Sequence, residues 1–107
     1  MPLLIIRPEE GSLSVLEVAQ LSIKDGSGTE FESAFSEAKL LIESASGHLA
    51  SSLTKSTSTG EYLLLVWWRT LEDHIETFVS SPDFAKFKAL IGDHLAGAPT
   101  VKHFQEI

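Results

Sequence analysis

Residues 62–84 read YLLLVWWRTLEDHIETFVSSPDF, and this stretch decides the fold. From Tyr62 to Trp68 there is no polar break, so the segment reads as a strand buried on both faces. The chain then turns into a short helix that carries His74, and Ser81-Pro82 marks the start of another helix. In a chain of 107 residues, helices have the length to cover one face of a sheet. A second cover is needed for the other face. That is where a partner subunit, a ligand or both are expected.

Working outward, the segment before this strand is rich in Ser and Thr, and Ser58-Thr59-Gly60 reads as a hairpin turn. Residues 48–57 form the preceding strand. Upstream, Thr29-Glu30-Phe31-Glu32 has the spacing of a capping box, with Thr29 as N-cap. Phe31, Phe35, Ala38, Leu41 or Ile42, and Ala45 follow at helical spacing, and Gly47 closes the helix. Residues 14–24 form the first strand. Leu16 and Val18 share one parity and Leu21 and Ile23 the other, which predicts a bulge near Ala19.

Downstream, Thr70 and Asp73 make a capping-box-like start for a helix over 71–79. The next helix runs from Ser81-Pro82 to about residue 95, with Phe84, Phe87, Leu90 or Ile91, and Leu95 inward. Residues 100–106 form the last strand. The order strand, helix, strand, strand, helix pair, strand is the ferredoxin-like split βαβ arrangement, an α+β fold with an antiparallel sheet. The chain is expected to be one domain over 1–107, with 1–13 as an N-terminal arm or a short extra strand.

Composition bounds the function. Apolar residues make up 43% and charged residues 21%, which suits a soluble globular domain. The net charge of -7 repels phosphate backbones and anionic lipid, so neither nucleic acid nor membrane is an expected partner. With no cysteine, disulfides, thiolate nucleophiles and Cys-based metal sites are excluded. The apolar run Leu3 to Ile6 is too short for a signal-peptide core, and a cytoplasmic protein is expected.

The histidines are the candidate chemistry. His74 lies in the first turn of a helix, where the dipole keeps an imidazole uncharged and fit to act as a base. The alternative is a capping or surface histidine. His103 shares one face of the last strand with Val101 and Gln105. It is either a polar group in an apolar pocket or a half-exposed sheet histidine. His48 and His94 read as structural or solvated. No two histidines have i,i+3 or i,i+4 ligand spacing and there is no HExxH, so no metal is expected, and no dinucleotide fingerprint calls for a cofactor. Glu17 is flanked by Leu16 and Val18, and either faces solvent at an edge or enters a pocket beside a histidine. Trp67 and Trp68 point to opposite faces. Trp68, Val66, Leu64 and Tyr62 share parity and are assigned to the face away from the helices, with Trp67 beneath them.

These residues resemble the antibiotic biosynthesis monooxygenase domain of the dimeric α+β barrel superfamily. The resemblance is carried by Val15 to Ala19, Tyr62 to Trp68, Leu71-Glu72-Asp73-His74, Phe78, Ser81-Pro82-Asp83-Phe84 and Pro99 to Phe104. It covers roughly residues 14–105. It implies a homodimer whose two sheets close a barrel. It also implies a cofactor-independent monooxygenase acting on a small aromatic or polyketide-like compound in a barrel-interior pocket. In that reading His74 and His103 are catalytic, and Trp68, Glu17, Tyr62, Val66 and Phe78 bind substrate. Phe78 stands where many members carry a histidine. Phe87 stands where the haem-degrading branch has its ligand, so haem degradation is not implied. The same fold also serves non-catalytic ligand-binding or stress-associated dimers, and lyases or cyclases, and these are the alternatives.

Overall fold

A computed structural model describes residues 14–107, and the expected N-terminal arm lies outside the described residues. The elements are β1 (Val15–Ser22), α1 (Gly28–Glu43), β2 (His48–Lys55), β3 (Glu61–Trp68), a π-helical segment (Asp73–Phe78), α2 (Pro82–Ile91), a 3₁₀ turn (Gly92–His94) and β4 (Thr100–Phe104). The four strands form one antiparallel sheet in the order β2-β3-β1-β4, the ferredoxin-like arrangement that the element order predicts.

The hydrophobic pattern of α1 explains its burial. Phe31, Phe35, Ala38 and Ile42 recur at helical spacing and are its buried residues. They pack with Phe78, Phe87 and Ile91 from the other helical elements onto Ala19, Leu21, Tyr62, Leu64, Val66 and Trp68 of the sheet. The start of α1 differs from expectation. Ser27 is the N-cap residue and makes no side-chain cap hydrogen bond, so Thr29 lies inside the helix. Glu32 does not reach back to the helix start, because its carboxylate accepts a hydrogen bond from the Tyr62 hydroxyl. The expected caps downstream do form. The Thr70 hydroxyl accepts from Asp73 N–H at 3.1 Å, and the Ser81 hydroxyl accepts from Phe84 N–H at 3.2 Å.

Three assignments are corrected. The β1–β3 register runs unbroken from Val15↔Trp68 to Ser22↔Glu61, so there is no bulge at Ala19. Both faces of β1 carry apolar residues, and this produces an apparent parity slip without a real one. The irregularity falls in β2, between His48 and Ala50. The second correction concerns the end of α2. The helix stops at Ile91, and Leu95 leaves it to bridge Ile23 as extended backbone. The third concerns the face assignment along β3, which is inverted. Tyr62, Leu64, Val66 and Trp68 lie under the helices in the core, and Trp67 lies on the other face, outside that cluster. A strand apolar on both faces cannot reveal by parity which face the helices choose.

Gly47 fixes where the helical segment after β3 begins. Its φ is +86°, and a Cβ there would stand 2.3 Å from the Asp73 carboxyl group. The Gly47 carbonyl accepts from Arg69 N–H at 2.7 Å, and the Arg69 guanidinium holds both Asp73 oxygens at 3.1 Å. Gly26 also has positive φ, at +79°, but a Cβ there meets open space. Gly26→Ala is therefore expected to cost only the backbone term, about 1 kcal/mol. Gly47→Ala should cost clearly more, roughly 2–4 kcal/mol, because strain and a clash add. Denaturant unfolding of the two variants checks this ranking. Equal losses would contradict the close approach of Asp73.

Candidate functional site

The register of the sheet builds the site. Glu17 on β1 lies opposite Val66 on β3 and opposite His103 on β4. All three therefore share the helix-covered face, and Trp68 is two residues further along β3 on that face. Thr70 and Asp73 start the next helical segment, whose first residues bring His74 onto the same spot. A π-helical turn widens the ring and is often met at functional positions. Here it carries both His74 and Phe78.

The side chains form a continuous chain of contacts. Trp68 Nε1–H donates to Glu17 Oε1 at 2.9 Å. The same Oε1 lies 3.4 Å from His74 Nε2. His74 Nδ1 lies 2.8 Å from His103 Nε2, within hydrogen-bond distance. The His74 ring stacks on the Trp68 indole, with centroids 5.1 Å apart and planes within 11°. Phe78 packs on the indole at 5.5 Å, and His48 meets it edge-on at 6.4 Å. Glu17 and His74 are each 7% exposed and Trp68 1%, whereas His103 is half-buried.

Burial sets the charge state. Loss of water raises the Glu17 carboxyl to about 7, against the opposing pull of the Trp68 N–H. Burial, helped by the neighbouring His103, lowers His74 to about 4. Burial also lowers His103. The Glu17–His74 contact has ion-pair distance, but between about pH 4 and pH 7 it is a neutral contact between a protonated carboxyl and an uncharged imidazole. An isolated ion pair at this depth would lose more in desolvation than it regains. No buried side-chain nitrogen or oxygen among the described residues lacks a hydrogen-bond partner.

The structure thus joins five of the sequence-predicted residues, Glu17, Trp68, His74, Phe78 and His103, with Val66 alongside. It does not join Tyr62. That residue sits at the opposite end of β3, bound to Glu32, where it lines a cavity of about 210 Å³ with Gly28 and Lys55. A larger cavity of about 330 Å³ lies between α1 and β2, also away from the histidines. No group of three or more His, Cys, Asp or Glu side chains among the described residues is placed to hold a metal ion. Sequence reasoning took Asp73 for a helix-start preference. It is buried, and with Arg69 and Gly47 it anchors the segment that presents His74. The Arg69/Asp73 i,i+4 spacing was the available signal.

A stability prediction follows with a definite sign. Glu17, raised above its usual 4.5, contributes stability that is lost as pH rises from there to about 7. His74, lowered from 6.5 to about 4, contributes stability that is lost as pH falls through that range. Between about pH 4.5 and 6.5 the two slopes oppose. Folding moves one proton from imidazole to carboxyl without releasing it. In Glu17→Gln only the histidine slope survives. The variant should therefore gain stability relative to the wild type by roughly 1–3 kcal/mol as pH rises from 4.5 to 6.5. Unfolding free energies measured across that range check this. A wild-type-minus-variant difference that does not change with pH would contradict the assigned charge states.

Comparison with known proteins agrees with the fold and places the chain. The family model for antibiotic biosynthesis monooxygenase matches residues 14–90. The uncharacterized protein YczJ of Bacillus subtilis strain 168 is 45% identical over 94 residues, covering 87% of this chain and 99% of YczJ. A crystal structure from Bordetella bronchiseptica, provisionally named an antibiotic biosynthesis monooxygenase, superposes with a TM-score of 0.84 at 29% identity. It covers 88% of this chain and 97% of the other. SnoaB, a cofactor-independent oxygenase from Streptomyces nogalater, superposes with a TM-score of 0.76, over 88% of this chain and 93% of SnoaB. At 16% identity that likeness is one of fold. With most of its length matched by the family model, and the matched span containing Glu17, Trp68 and His74, the chain belongs to the antibiotic biosynthesis monooxygenase family.

Proposed function

We propose that this protein is a homodimeric, cofactor-independent monooxygenase that oxidises a small electron-rich aromatic or polyketide-like compound. The observation that carries the reading is the buried Glu17–His74–His103 chain against Trp68. A base of near-neutral affinity in a dry setting is what such a reaction asks of a protein. Removing a proton from an activated CH₂ or a phenol leaves an electron-rich anion, which dioxygen oxidises directly. For an activated methylene the balance is R₂CH₂ + O₂ → R₂C=O + H₂O, with no outside reductant. The fold shared with SnoaB supports the same reading.

The reaction site is proposed on the helix side of the sheet, near the β4 edge, and not on the open face expected from parity. His103 and Val101 share that side of β4, and Val101 is 44% exposed. The open face serves a different purpose. Leu16, Val18, Leu63, Leu65, Trp67 and Phe104 share it by register. Phe104 is 50% exposed and Leu63 39%. A second copy of the chain covers this face, burying on the order of 800 Å² per subunit. The acidic, cysteine-free composition suits the cytoplasm, and among the described residues no helix is long and apolar enough to cross a membrane.

The direct test is dioxygen consumption with a panel of phenols and anthrones. Wild type is expected to consume dioxygen with at least one class. His74→Ala should lose about 10²–10⁴ in rate while remaining folded. Ligand binding without turnover would replace the oxygenase by a binding protein. Early melting of His74→Ala with normal turnover per folded molecule would make His74 a packing residue.

The two tryptophans separate subunit from dimer. Trp68→Ala should destabilise the subunit by roughly 3–5 kcal/mol, since its indole is buried beneath His74 and Phe78. Trp67 is 8% exposed in the single subunit, so Trp67→Ala should also cost subunit stability, and it should in addition weaken association, which Trp68→Ala should not do directly. Light scattering and melting measured together check the split. A stable wild-type monomer at micromolar concentration would contradict the dimer.

A further inference from the structure

We infer that the substrate's proton is taken up by His103 and delivered through His74 to Glu17, so that three side chains act as one directional proton wire. The inference rests on the oxygenase reading for its substrate, but its geometry is independent of it. His74 is placed in the middle, with Nε2 toward Glu17 and Nδ1 toward His103. With Nδ1 hydrogen-bonded to His103, Nε2 facing the Glu17 carboxyl at 3.4 Å and 7% of its surface exposed, His74 is poorly placed to meet a substrate itself. His103 is the accessible end. It lies on edge strand β4 and is half-buried, and its bond to His74 uses Nε2, which leaves Nδ1 on the far side of the ring. Glu17 is the closed end, held by Trp68.

Two proton arrangements satisfy these contacts. In the first, Glu17 is a carboxylate, His74 donates to it from Nε2–H, and His103 donates to His74 from its own Nε2–H. The Nδ1 lone pair of His103 then faces outward as a base. In the second, Glu17 is a carboxylic acid donating to His74 Nε2, and His74 donates from Nδ1–H to His103 Nε2. His103 then carries its remaining proton on Nδ1. One proton entering at His103 Nδ1 converts the first into the second. The His103 Nε2 proton moves to His74 Nδ1, and the His74 Nε2 proton moves to Glu17. Charge balances, because the substrate becomes an anion as the carboxylate becomes neutral. No imidazolium remains at the end. The new Nδ1–H of His103 faces the substrate anion as a donor.

Proton affinities order the wire in the same direction. Glu17 titrates near 7 whereas both histidines are lowered, so the proton comes to rest on the carboxyl. The surrounding groups do not compete. β3 presents Trp68 and Val66, which do not titrate. His48 of β2 bonds Ser51 and touches the edge of Trp68, and Asp73 is engaged with Arg69. Phe78, Phe84 and Phe87 close the side toward α2. In this assignment His103 is the catalytic base, and His74 and Glu17 are positioning residues that act through it.

Nitrogen-15 NMR of histidine-labelled protein between pH 5.5 and 8.5 tests the wire without any substrate. Wild type is expected to show His74 and His103 both as Nδ1–H tautomers at low pH and both as Nε2–H tautomers at high pH, with a single shared midpoint. In Glu17→Gln the switch should vanish, with His74 held as the Nε2–H tautomer. Tautomers that do not change in wild type, or that still change in Glu17→Gln, would overturn the proposal. Where turnover is measurable, wild-type kcat should rise with pH through that same midpoint. Glu17→Gln should lose this limb and fall at least tenfold in kcat. An unchanged rate and profile in Glu17→Gln would also overturn it. A wild type that switches tautomers but oxidises none of the phenols or anthrones leaves the wire standing and removes the oxygenase. A wild type that turns over without the switch does the reverse.

Discussion

The burial of one carboxyl group, Glu17, is the constraint on which the rest of the site depends. Its strand delivers it to the helix-covered face of the sheet, where Val15 and Ala19, two residues away on either side, share that face with it. A carboxylate at that depth, without partners, would cost several kcal/mol. The chain answers with an indole N–H and the imidazole of His74, which His103 backs in turn, all on the same face. Those partners and the desolvation together leave a carboxyl whose proton exchanges near neutral pH. A base of that affinity, placed on rigid strands, is a chemical resource that a simple core would not contain.

The fold makes this arrangement possible through its strand order. With β1 central, Glu17 has β3 on one side and β4 on the other. One strand supplies the tryptophan that clamps the carboxyl, and the other supplies the histidine that reaches the edge. The Gly47–Arg69–Asp73 junction supplies the third part, since it sets the start of the segment that lays His74 over Trp68. The aromatic cluster of Phe78, Phe84 and Phe87 then packs against Trp68 through Phe78. The opposite sheet face, with Leu63, Trp67 and Phe104, carries none of Glu17, His74 and His103.

Much of the fold was legible because its signals are local. The spacing of Phe31, Phe35, Ala38 and Ile42 marks a helix wherever it occurs, and Ser81-Pro82 marks a helix start. What was not legible depends on register. From Tyr62 to Trp68 both faces are apolar, so the choice between Trp67 and Trp68 for the helix side is made by partners distant in sequence. The placement of His103 opposite Glu17 needs the β1–β4 register, and the bond of His74 with His103 needs the angle at which the π-helical segment leaves β3. The histidines were visible as residue types, and their bond was not. Tyr62 was misjudged for the same reason, because parity placed it with Trp68 without saying that one end of a strand is far from the other.

Isotope-edited difference infrared spectroscopy of wild type against Glu17→Gln at pH 6 tests the central claim most directly. The protonation of Glu17 predicts a carboxylic-acid carbonyl band in the wild type that is missing from the variant and disappears as the pH is raised to 8.5. A difference spectrum showing only carboxylate bands for Glu17 at pH 6 would contradict it, and would make the contact with His74 an ordinary buried ion pair.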